Sequence, residues 1–176
     1  MRVLIVEDDP LNVESAKKVV GDAFGDEVEC TIVRTARELG RIESYGDFDL
    51  ILTDGWIPAG VYDGLAPEPE NLPSEKPVFV GSTVALGALI GNVPCVLCTE
   101  SNHHRDIQGL LLEQCMPGPT FEPVVDEKGQ NMVVRKSILR INNDPYKVRG
   151  GGKYWMHPFE LKLLFDGKPI PNKFPR

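Results

Sequence analysis

Short apolar runs recur along the chain at Val3–Val6, Val28–Val33, Leu50–Thr53 and Pro94–Cys98. Runs this short, bounded by polar turns, have the pattern of strands buried in a parallel sheet. Between them the period changes. Val13, Ala16 and Val20 recur at helical spacing after Pro10, and Leu39 and Ile42 mark a second short helix over Ala36–Glu43. A third helix is predicted over about Ser82–Ile90, a fourth near Arg105–Glu113 and a last one over Phe159–Phe165. This alternation of strand and helix argues for a doubly wound α/β sheet.

Two stretches break the rhythm. Ala66–Pro77 reads APEPENLPSEKP and carries neither a helical nor a strand period. Between Met116 and Gly152, FEPVVDEKGQNMVVRKSILRI holds two β-rich runs around Glu-Lys-Gly, the pattern of a hairpin. Gly150-Gly-Gly then leads into Tyr154–Met156, a candidate fifth strand. Residues 65–80 and 116–150 therefore read as two insertions in a single domain spanning 1–176.

Composition sharpens this picture at three points. The 26 acidic against 19 basic residues give a net charge of −7, which argues against a phosphate-backbone grip on nucleic acid. The four cysteines are too few for a disulfide framework, and Cys95 and Cys98 lie within one predicted strand on opposite faces, a poor zinc knuckle. Pro77 to Thr99 is free of charge over 23 residues, but its glycines and Pro94 divide it into a buried helix and a buried strand rather than a membrane span. With no signal-peptide pattern at MRVLIVEDDP, the expected location is cytoplasmic.

Doubly wound sheets place their sites beyond the carboxyl ends of the strands. That rule selects Glu7 and Asp8, Asp54, Thr99 and His157. Three carboxylates at the ends of two neighbouring strands either shift a pKa or share a divalent cation, and hard oxygen donors favour Mg²⁺. A cation there would also neutralise an incoming phosphoryl group, leaving the Asp54 carboxylate as a workable nucleophile toward phosphorus.

VLIVEDDP, DLILTDGWIP, VPCVLCTES and YWMHPFEL resemble, in order, the four signature segments of response-regulator receiver domains. The resemblance implies a flavodoxin-like, five-stranded parallel sheet. It matches Glu7 and Asp8 to the acidic pair, Asp54 to the phospho-accepting aspartate and Thr99 to the hydroxyl residue that contacts the phosphoryl group. Tyr154 matches the switch aromatic of the fifth strand. By the same resemblance Asp8, Asp54 and the Trp56 backbone carbonyl hold Mg²⁺, with Glu7 acting through water. His157-Pro158-Phe159 stands where the family has Lys-Pro-Phe, usually with a cis bond before the proline. This gives His157 the role of the family's invariant lysine and would make phosphorylation pH-sensitive.

The implied function is a stand-alone receiver in phosphorelay signalling, accepting a phosphoryl group from a sensor histidine kinase or phosphotransfer protein and passing the signal to a downstream protein. Two alternatives belong to other classes. One is a pseudo-receiver, a phosphorylation-independent binding module. The other is a small Mg²⁺-dependent hydrolase, although no second Asp lies two residues after Asp54, where a haloacid-dehalogenase phosphatase wants its acid.

Overall fold

The structure is a computed structural model. It describes residues 1–60, 76–98, 120–125, 131–136, 139–142 and 152–166, with 120–125 and 131–136 described by their backbone. The first three strands and the helices between them follow the hydrophobic pattern closely. They are β1 (Arg2–Val6), α1 (Pro10–Phe24), β2 (Glu29–Val33), α2 (Ala36–Leu39) and β3 (Leu50–Asp54). A short pair follows, β4 (Trp56–Pro58) and β5 (Pro77–Phe79), and then α3 (Gly81–Ile90) and β6 (Cys95–Cys98). The hairpin expected in the second insertion is there as β7 (Thr120–Val125) and β8 (Asn131–Lys136), paired antiparallel. Strand β9 (Leu139–Asn142) and helix α4 (Pro158–Phe165) complete the described elements.

Five strands form one parallel sheet in the order β2-β1-β3-β6-β9. Counting only those five, the order is 2-1-3-4-5, the flavodoxin-like doubly wound arrangement. Side chains alternate across it with the period of two that a strand imposes. Leu4, Val6, Ile51 and Leu97 pack with Val84, Ala85 and Ala88 of α3 on one face. Val3, Ile5, Leu50, Leu52 and Val96 pack with Ala16 and Val20 of α1 and with Leu161 and Leu164 of α4 on the other. Cys95 falls in the first cluster and Cys98 in the second, so the two thiols sit on opposite faces as their spacing requires. Burial pushes the Cys95 thiol well above its ordinary range, in keeping with a core role.

The fifth strand is where sequence and structure part. Tyr154–Met156, the expected strand, joins no ladder. The sheet's fifth position belongs to Leu139–Asn142, which pairs with β6 from Cys95↔Leu139 to Cys98↔Asn142. Its alternation of Leu139 and Ile141 with Arg140 and Asn142 merges, in sequence, with the second arm of the hairpin. Tyr154-Trp155-Met156 is apolar for a different reason: Trp155 and Met156 are buried between the sheet and the helices on the α1 face. The carbonyls of Tyr154 and Trp155 accept from the Asn142 side-chain amide at 3.0 and 3.2 Å, a side-chain substitute for ladder bonds.

The charge-free stretch from Pro77 resolves into β5, α3 and β6, and no helix among the described residues is long and apolar enough to cross a membrane. Helix α4 is 8 residues long, as short as its sequence predicts. The helix expected near Arg105–Glu113 lies outside the described residues.

Candidate functional site

Strand register builds the site. Val6 of β1 pairs with Thr53 of β3, so the next residues, Glu7 and Asp54, emerge side by side at the carboxyl edge of the sheet. The order of the sheet strands reverses between β1 and β3, which makes this edge the topological switch point where such folds hold their ligands. Beyond Glu7, Asp9 caps α1: its Oδ1 accepts from the Leu11 amide at 2.8 Å. That cap turns the chain tightly and keeps Asp8 at the strand edge. One carboxylate oxygen from each of Glu7, Asp8 and Asp54 lies within 4.8 Å of the others.

The second flank is set by α3. The amides of Val80 and Gly81 both donate to the Gly55 carbonyl, at 2.9 and 3.2 Å. A Cβ on Gly81 would stand 2.7 Å from Leu97 Cδ1 and 3.0 Å from Gly55 Cα, so only glycine lets the helix start this close to the residue after Asp54. Trp56, two residues beyond Asp54, opens β4. Its indole is 40% exposed and meets Phe79 of β5 edge to face, ring centroids 5.0 Å apart, so it packs on the first insertion.

The cation of the site is Lys153. Its Nζ lies 2.7 Å from Asp54 Oδ2 and 2.8 Å from Glu7 Oε2, and the residue is only 6% exposed. The sequence expectation gave that charge to His157. The imidazole of His157 instead caps α4, its Nδ1 accepting from the Phe159 amide at 3.3 Å, and the peptide bond before Pro158 is trans. A lysine, unlike a histidine, stays charged throughout the neutral range. Lys153 carried no family motif. Its one sequence signal is the preceding Gly150-Gly-Gly, which allows a close approach to another segment.

Glu7 is almost wholly buried and fully engaged. Its Oε2 accepts from Lys153, and its Oε1 accepts from the Asp9 amide at 3.1 Å and from Asn12 Nδ2 at 3.3 Å. Asp54 Oδ1 accepts from the Gly55 amide at 2.5 Å. The Asp8 carboxylate, half-buried, accepts no hydrogen bond among the described residues, which leaves it the freest of the three to bind a ligand. Burial raises the Glu7 carboxyl above the usual carboxylate range despite Lys153, and it raises Asp54 in the same way. Burial alone would lower Lys153, but the carboxylates of Asp54 and Glu7 outweigh it and hold the ammonium above its ordinary value.

The donor set fits a hard divalent cation: all oxygen, three carboxylates against one ammonium, one carboxylate uncommitted. Tyr154 stands beside Lys153 with its side chain 37% exposed. Thr99 lies outside the described residues.

The fold and site define a doubly wound α/β domain with an acidic, lysine-bridged switch point. Solved structures of similar fold include a response regulator receiver domain protein, CheY-like, from Methanospirillum hungatei. It is 22% identical, with 64% of this chain and 72% of that one covered, at a TM-score of 0.37. Another is a protein from Burkholderia pseudomallei described as related to pilus assembly, 20% identical over 65% of this chain and 70% of that one, at a TM-score of 0.36. The likeness is one of fold. No protein-family model and no curated protein sequence matches the chain.

Proposed function

We propose that this protein is a receiver-type phospho-acceptor, with Asp54 as the residue that takes the phosphoryl group. The observation that carries this reading is the joint placement of Glu7, Asp8, Asp54 and Lys153 at the switch point of the sheet. Three acids there supply a cation seat and a nucleophile, and a fixed ammonium supplies the charge a phosphoryl group needs. Asp8, Asp54 and the Trp56 carbonyl would hold Mg²⁺, with Glu7, whose oxygens are already taken, acting through water. Bound there, Mg²⁺ supplies charge neutralisation and in-line orientation for the phosphoryl oxygens.

The chain's own groups do the rest. An oxygen of the Asp54 carboxylate forms the new bond to phosphorus as the phosphorus–nitrogen bond of a phosphohistidine donor breaks. The electron pair of that bond leaves on the imidazole nitrogen, which takes up a proton. Lys153 moves its hydrogen bond from Asp54 Oδ2 to a phosphoryl oxygen. Its buried setting keeps that charge undiluted by water. Thr99 is the proposed hydroxyl contact and Tyr154 the aromatic that follows it. The donor is a histidine kinase or phosphotransfer protein met in the cytoplasm, and the output is contact with another protein. The acidic balance of the chain favours that over nucleic acid.

Incubation with Mg²⁺ and acetyl phosphate tests the reading by intact mass. A hydrolytically labile gain of one phosphate, absent from Asp54→Asn, is the expected result. No adduct from acetyl phosphate overturns it in favour of a phosphorylation-independent binding module, and repeated turnover of a phosphate ester overturns it in favour of a hydrolase.

A further inference from the structure

Lys153 is held in the site by a strap that belongs to no strand, and the strap is fastened to the first turns of α1. Asn12 makes the fastening. Its Oδ1 accepts from the Lys153 amide at 2.8 Å, while its Nδ2 donates to Glu7 Oε1 at 3.3 Å. Its carbonyl accepts from Trp155 Nε1 at 3.1 Å. Ser15 adds a second point: its Oγ lies 2.9 Å from the Lys153 carbonyl and 2.8 Å from the Asn12 carbonyl, and accepts from Trp155 Nε1 at 3.1 Å. Gly152 makes the contact possible, since a Cβ there would stand 2.8 Å from Ser15 Cβ and 3.1 Å from the Leu11 carbonyl oxygen.

One side-chain amide thus joins the backbone of the cation to the carboxylate of the acid it pairs with. The amide has a fixed polarity: its oxygen can serve only the Lys153 N–H and its nitrogen only the carboxylate. Among the hydrogen bonds of the described residues, those of Asn12 alone join Glu7 to the Lys153 backbone. We infer that Asn12 is a positioning residue for Lys153 and Glu7, so that reaction at Asp54 depends on the first turn of α1. The inference rests on the receiver reading for its chemistry, but its geometry does not.

The test is a double-mutant cycle with a structural readout beside it. Asn12→Ala is expected to slow phosphorylation of Asp54 by acetyl phosphate at least about tenfold in the wild-type background. In a Lys153→Ala background it is expected to change the rate by less than about twofold. Equal losses in the two backgrounds, or no loss in the first, overturn the inference. Asn12→Asp guards against a folding defect, because it keeps the acceptor for Lys153 and converts the donor to Glu7 into a like charge. Its phosphorylation rate is expected to recover as pH falls and one of the two facing carboxyls takes a proton, and a flat pH profile counts against the inference. If the wild type takes up no phosphate at all, the receiver reading fails on its own and nuclear magnetic resonance decides the positioning role. A slowly exchanging Lys153 ammonium signal, present in the wild type without metal and lost in Asn12→Ala, supports it. A signal unchanged by Asn12→Ala overturns it.

Discussion

Replacing Lys153 by methionine keeps a long unbranched stem and removes the ammonium from between Glu7 and Asp54. The structure gives the size of the effect. Nζ sits 2.8 Å from one carboxylate and 2.7 Å from the other, with Lys153 and Glu7 almost wholly out of water. Removing one partner of a buried ion pair costs about 3–5 kcal/mol, and each kcal/mol moves Tm by roughly 2–4 °C in a chain of this size. A fall in Tm on the order of 10 °C is therefore expected at about pH 8 in a chelator. The sign with pH follows from the carboxyls. Burial already holds Glu7 and Asp54 above their ordinary range, and losing Lys153 raises them further. A carboxyl whose folded pKa exceeds its unfolded value contributes stability that is fully present below the unfolded pKa and lost as pH rises through the folded one. The variant's deficit should accordingly shrink toward about pH 5 and grow toward about pH 8. Thermal unfolding followed by circular dichroism at both values, with and without Mg²⁺, measures this. Mg²⁺ at about 100 times its Kd should return roughly 2.7 kcal/mol. A deficit that does not change with pH, or a methionine variant as stable as the wild type at the higher pH in chelator, would refute the reasoning.

Other substitutions probe the same edge. Asp54→Asn leaves Lys153 and Glu7 as a one-to-one pair and removes a carboxylate that burial strains, so it should raise Tm without metal while weakening Mg²⁺ binding in calorimetry. Gly81→Ala forces α3 away from Gly55 and should cost about 1–3 kcal/mol in urea unfolding, with phosphorylation of Asp54 slowed. Asp9→Ala removes the cap on the Leu11 amide and should cost about 1 kcal/mol, measured in the same way.

Most of the sheet was legible because its signal is local. Apolar runs mark β1, β3 and β6, and the alternation with helices marks the parallel sheet. The acidic half of the site was legible for a related reason. Once Val6 and Thr53 are neighbours in the ladder, Glu7 and Asp54 have nowhere to go but beside each other. The fifth strand was harder to read, since an edge strand of alternating Leu139, Arg140, Ile141 and Asn142 looks like the continuation of the hairpin before it. The apolar strap at Tyr154–Met156 mimicked a strand because burial under α1 and α4 demands the same residues a ladder would.

The cation was misplaced for a deeper physical reason. A carboxylate has a short stem, so its position is dictated by the backbone that carries it, and the backbone here is fixed by strand register. A lysine carries its charge at the end of a long flexible chain, so the site constrains only where Nζ arrives and not which segment delivers it. Delivery from a strap outside the sheet then needs its own fixings, and these are polar contacts scattered in sequence: Asn12, Ser15, Asn142 and a glycine at 152. None of them has a period or a motif. Histidine before proline took the lysine's place in the resemblance because it stands at the start of the last helix, where its imidazole caps the Phe159 amide. The structure gives the helix cap to His157 and the ion pair with Asp54 to Lys153. The charge of the site therefore comes from a strap outside the sheet, and Nζ stays in place only as firmly as Asn12, Ser15 and Asn142 hold that strap.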